Sequence, residues 1–123
     1  MKITALYPVI ISANADEIVS FYEKSFGFRV IHKGSLITTA NPLETIRVLE
    51  NPDGIRMDVI QLDFEKVPTH GFRVNVDDFD EGLKVYLEGG YSVMCGPVIT
   101  KSAKRVLLTK DGGSPLLLMQ HLK

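Results

Sequence analysis

Residues 14–28 read NADEIVSFYEKSFGF, and residues 78–91 read DFDEGLKVYLEGGY. A shift of 64 lays Asn14 on Asp78, Asp16-Glu17 on Asp80-Glu81 and Tyr22 on Tyr86; one deletion later, Gly27-Phe28 falls on Gly90-Tyr91. Each stretch opens on a short polar side chain suited to capping a helix, continues with apolar residues at helical spacing, and stops at glycine. The correspondence runs on downstream. Pro52-Asp53-Gly54 and Asp111-Gly112-Gly113 are turn signals between apolar runs, and seven positions separate Gly54 from Gln61 and Gly113 from Gln120 alike. An internal duplication accounts for four matches in the same order.

Working outward, each half reads as a strand, a helix and three more strands. In the first half, residues 2–12 are apolar and β-rich. Asn14 is the expected N-cap, and Glu17 completes a pattern like a capping box. Ile18, Phe21, Tyr22, Ser25 and Phe26 share one helical face, and Gly27 stops it. Strands follow near 28–36, 45–50 and 55–63, with a polar loop at 34–44 containing Asn41-Pro42. Lys66-Val67-Pro68-Thr69 forms the linker. The second half gives a strand at 70–77, a helix from Asp80 to Glu88, and strands near 91–95, 104–109 and 114–121. The chain of 123 residues therefore reads as one domain, 1–123, made of module 1 (1–65) and module 2 (69–123).

Charge narrows the partners. Fourteen Lys and Arg against fifteen Asp and Glu give a formal charge of −1, which draws the chain toward neither nucleic acid nor an anionic membrane. Cys95 is the single cysteine, which excludes an internal disulfide framework and suits a reducing compartment. No apolar run approaches the ~20 residues that span a bilayer, and the first dozen residues read as a strand instead of a signal peptide. The expected location is cytoplasmic. No glycine-rich phosphate loop, CxxC pair, HExxH or GxSxG motif occurs.

A duplicated βαβββ unit with these signposts resembles the vicinal oxygen chelate superfamily of glyoxalase I, extradiol dioxygenases and bleomycin-resistance proteins. The stretches carrying the resemblance are Asn14…Phe21-Tyr22…Gly27-Phe28, Val76-Asp77-Asp78-Phe79-Asp80 and the closing turns Asn51-Pro52-Asp53-Gly54 and Gly112-Gly113-Ser114-Pro115. It implies an α+β fold in which two βαβββ modules form a curved mixed-sheet cup around a ligand. In metal-dependent members, four side chains hold the cation, which acts as a Lewis acid on the substrate. One stands seven residues before each helix cap, and one stands four residues after each hairpin glycine. Here those counts give Tyr7, Gly71, Asp58 and Leu117. Only Asp58 suits a divalent ion, and a catalytic zinc needs about three protein ligands. His70 sits one place before the counted position and enters the cup only if a bulge near Gly71 resets the register. No metal and no cofactor is expected.

Strand parity gives the lining instead. Tyr7, Val9 and Ile11 share one face, as do Arg56, Asp58 and Ile60; Gly71, Arg73 and Asn75; and Pro115, Leu117 and Met119. The candidate ligand-binding residues are Tyr7, Val9, Arg56, Asp58, Arg73, Asn75, Leu117 and Met119. Greasy walls with sparse polar points are the pattern of a small-molecule site. Arg73 either grips a ligand or faces solvent. Arg56 and Asp58, two apart on one face, neutralise each other, or else a buried Asp58 serves as general acid or base. Lys101, Lys104 and Arg105 read as a solvated hairpin. The expected function is a metal-independent, non-catalytic binder of an apolar or aromatic small molecule, acting as a homodimer. The alternatives are a lyase or dioxygenase with a displaced metal on Asp58 and His70, and a partner-binding domain.

Overall fold

A computed structural model of the chain describes residues 1–35, 46–62 and 70–122. Its elements run β1 (Ile3–Ser12), α1 (Ala15–Phe26), β2 (Arg29–Gly34), β3 (Ile46–Glu50), β4 (Arg56–Gln61), β5 (His70–Val76), α2 (Phe79–Glu88), β6 (Ser92–Ile99), β7 (Ala103–Thr109) and β8 (Leu116–His121). The expected order of strand, helix and three strands appears twice. Residues 36–44 of the polar loop and the linker at 66–69 lie outside the described residues.

The strands form one mixed sheet in the order β2-β3-β4-β1-β5-β8-β7-β6. Each module is ordered alike, because β1 pairs parallel with β4 and β5 pairs parallel with β8. The modules join through the antiparallel β1–β5 pair, in which Tyr7 faces Arg73 and Val9 faces Gly71. The 64-residue shift equates position 7 with 71 and 9 with 73. That crossed pairing is what a two-fold axis through the centre of the β1–β5 ladder requires.

The two helices cover one face of the sheet. Ala15 and Val19 of α1 pack on Leu49, Met57 and Val59 of the sheet, and Phe79 of α2 packs with Val74, Val76, Val106, Leu108, Leu116 and Leu118. The α1 stripe is turned from the expected one: Ala15 and Val19 are buried, while Phe21 and Phe26 are exposed and stack edge-on against each other. The opposite, concave face has its own apolar cluster of Val9, Ile11, Ile46, Val48, Ile60, Leu62, Leu107, Leu117 and Met119. That cluster draws on β3 at one side of the sheet and β7 at the other, so the sheet curls tightly. A Cβ at Gly34, on β2, would lie 2.7 Å from Arg105 Nη1, on β7. The two wings therefore meet across the cup.

The helix starts show the duplication at atomic detail. Gln61 Oε1 accepts the Ala15 N–H at 2.8 Å, and its amide donates to the Ala13 carbonyl. Gln120 Oε1 accepts the Phe79 N–H at 2.8 Å, and its Nε2 donates to the Asp77 carbonyl at 2.9 Å. A glutamine on the last strand of each module thus clamps the first turn of that module's helix, satisfying a donor that has no partner within the helix. Asp78 adds the expected side-chain cap by accepting from the Glu81 N–H. Asn14, contrary to expectation, does not cap α1 with its side chain.

Candidate functional site

The four central strands carry the candidate residues, and their alternation follows the predicted parity. Val9 on β1 lies between Asp58 on β4 and Gly71 on β5, and Arg73 on β5 lies between Tyr7 on β1 and Leu117 on β8. Asp58 and Arg73 therefore stand on a diagonal across β1. Arg73 Nε lies 2.9 Å from Asp58 Oδ2, with side-chain exposures of 4% and 0%. The guanidinium carbon sits 4.5 Å from the centroid of the Tyr7 ring, a cation–π distance. Arg73 Nη1 donates to Met119 Sδ at 3.5 Å.

The Asp58–Arg73 contact is an attraction between charges without an aligned hydrogen bond: neither carboxylate oxygen of Asp58 nor Arg73 Nε has a hydrogen-bond partner among the described residues. The carboxylate has lost its water and gained only a coulombic partner. Burial accordingly outweighs the nearby guanidinium and pushes the Asp58 carboxyl up to about 6.

Arg56 does not neutralise Asp58. Its Nε lies 3.1 Å from Glu50 Oε2, because Glu50 is its cross-strand partner on β3. Arg73 is buried, not solvent-facing. Val9, Leu117 and Met119 lie in the concave cluster and are packed by the curled wings. Asn75 is buried with its Oδ1 unpartnered among the described residues. The structure thus brings Tyr7, Asp58, Arg73 and Met119 into direct contact, packs Val9 and Leu117 beneath them, and sets Arg56 apart at the rim with Glu50.

Arg105 was not anticipated. The sequence places it beside Lys101 and Lys104 in an apparently solvated hairpin, yet it is only 8% exposed. Its register partner on β8 is Met119 and on β6 Val98, so it points into the concave face. The signal was available in the apolar run Val106-Leu107-Leu108 that follows it, the mark of a strand buried on both faces. Lys104, one residue earlier, turns to the other side and meets Asp80 at 3.6 Å. His121 also belongs to this face. Burial lowers its pKa, and the charges of Arg73, His32, Arg105 and Arg56 lower it further.

The donor set does not fit a divalent cation. At the four counted positions stand a phenol, a carboxylate already engaged by a guanidinium, a glycine and an aliphatic side chain. Position 71 has no room for a ligand, since a Cβ there would lie 2.1 Å from the Pro115 carbonyl oxygen. The β1–β5 register is continuous from Ala5↔Asn75 to Ile10↔His70. His70 therefore shares the helix-side face with Ile10, opposite Asp58. Among the described residues, no group of three His, Cys, Asp or Glu side chains converges.

No protein-family model matches the sequence, and no curated protein matches it either. Solved structures match throughout. A glyoxalase/bleomycin resistance protein/dioxygenase superfamily member from Vibrio splendidus 12B01 superposes with a TM-score of 0.60 at 16% identity, covering 96% of this chain and 98% of that one. A single-residue variant of methylmalonyl-CoA epimerase from Streptomyces coelicolor, in complex with 2-nitronate-propionyl-CoA, gives 0.62 at 17% identity, covering 97% and 95%. A protein from Staphylococcus aureus gives 0.61 at 16%, covering 99% and 98%. The chain has the glyoxalase/bleomycin-resistance fold, as its internal repeat implied.

Proposed function

We propose that this chain, on a glyoxalase/bleomycin-resistance scaffold, binds a small, largely apolar or aromatic molecule at its concave face without a metal. The observation that carries the reading is the buried Asp58–Arg73 pair under the Tyr7 ring. A charged pair lacking aligned hydrogen bonds is a poor device for stability, and apolar replacement of such pairs is often neutral or stabilising. It does fix a polar ion pair and an aromatic ring in an apolar setting, which is how small-molecule sites fix orientation. The guanidinium stands among the positions from which metal-dependent relatives grip their cation, and the residues there suit holding Arg73. The epimerase neighbour, solved with 2-nitronate-propionyl-CoA, supports a small organic molecule as the occupant.

The test is an amide NMR titration of the full chain with a library of aromatic and apolar fragments. Shifts should converge on Tyr7, Arg73, Leu117 and Met119, and Arg73→Met should remove them. Fragments that perturb only the outer faces of the helices would overturn the reading. So would stoichiometric zinc, nickel, manganese or iron in gently purified protein that is lost in Asp58→Asn.

The assembly belongs to the same reading. Between the two helices, the outer face of β1 and β5 leaves Leu6 and Phe72 exposed. A homodimer that covers these side chains is the expected state, and sedimentation should give twice the chain mass. A reducing, cytoplasmic setting suits the lone thiol of Cys95.

A further inference from the structure

The acids and bases of the concave face do not cancel. Arg56 is matched by Glu50 and Arg73 by Asp58. Arg105 has no ion pair and no hydrogen bond among the described residues, and its Nε is buried without an acceptor. A buried guanidinium without a counter-ion is among the costliest groups a small domain can hold. Its neighbours do not relieve the cost. Met119 and Val98 flank it along the sheet, and the close-packed backbone of Gly34 lies against its Nη1. His121, on the same face, supplies no counter-charge, and burial lowers its pKa as it does that of Arg105.

The geometry points to Arg105 as the anchor for an anionic group on the ligand, so that the site takes a small organic carboxylate with an apolar body. This rests on the reading of the concave face as a small-molecule site and names the class of molecule it takes. A planar guanidinium meets a carboxylate through two parallel hydrogen bonds. The carboxylate would supply the acceptor that Nε lacks. The ligand's apolar body would lie against Met119, toward the Tyr7 ring. The Asn75 Oδ1, two strands away in the same row as Met119 and Arg105, offers an unused acceptor for a hydroxyl or amide on that body.

The experiment compares benzoate with benzamide, which share a ring and differ in charge, by following the Arg Nε–Hε and backbone amide signals of the full chain. Benzoate should shift the Arg105 Nε–Hε signal saturably and bind at least about tenfold more tightly than benzamide, as expected when a charge-assisted pair is exchanged for a neutral one. In Arg105→Met the two probes should bind alike. If that variant fails to fold, Arg105→Lys takes its place, retaining charge but losing the fork, and the preference should shrink. Equal binding of both probes in the unaltered chain, or a benzoate affinity indifferent to Arg105, overturns the carboxylate anchor and leaves the small-molecule site standing. If neither probe perturbs the concave face, both readings fall together.

Discussion

At the scale of single residues, Asp58 is the group most displaced from its ordinary chemistry. Its carboxyl rises from 3.8 to about 6 because burial outweighs the adjacent Arg73. The folded chain therefore holds that proton more tightly than the unfolded chain. The destabilisation from ionised Asp58 is complete above pH 6, shrinks as the pH falls from 6, and is gone below about 4. Comparing denaturant unfolding of the wild type with Asp58→Asn should show the wild type gaining ground on acidification through that window. The full shift corresponds to about 3 kcal/mol, as an upper bound. Arg73→Met removes the cation that meets the same carboxylate. At pH 7 it should cost roughly 3–5 kcal/mol, the usual effect of leaving one buried charge alone. At pH 5 the cost should be far smaller, because Asp58 can then take up a proton. A pH-independent cost would mean that the carboxylate is not the group left stranded.

At the scale of elements, the repeated glutamine clamp joins each last strand to the helix of its own module. Gln61→Ala and Gln120→Ala should each destabilise by about 1–2 kcal/mol, through one helix-start donor and one carbonyl left without partners. Hydrogen exchange should localise the loss to the first turn of α1 or α2. These elements were largely legible in advance, because caps, stops and turn signals act over a few residues. The repeat doubled each signal, and strand parity correctly separated Asp58 and Arg73 from Met57 and Val74. What escaped was whatever depended on pairing between distant strands. Arg56 turns to Glu50 because β3 and β4 are neighbours in one register. Arg105 is buried because β7 lies against β8 and meets β2 across the cup. Phe21 and Phe26 fit the helical period but lie on the wrong side of a stripe that Ala15 and Val19 fill. Local periodicity cannot decide which edge of a stripe the sheet will cover.

At the scale of the whole molecule, the concave cluster takes side chains from both modules, and the β1–β5 ladder is the seam between them. Unfolding should be a single cooperative transition, with coincident circular dichroism and fluorescence curves. Fragments 1–65 and 66–123, expressed apart, should each lack a dispersed amide spectrum and recover it on mixing. A dispersed spectrum from either alone would show that one module can bury its own apolar face. The close approach of Gly71 to the Pro115 carbonyl reaches further than packing. It sets a barrier to descent: no sequence of single substitutions on this backbone can install a histidine there without first prising apart two central strands. An engineer wanting a metalloenzyme from this chain would have to rebuild the scaffold, not merely repaint its interior.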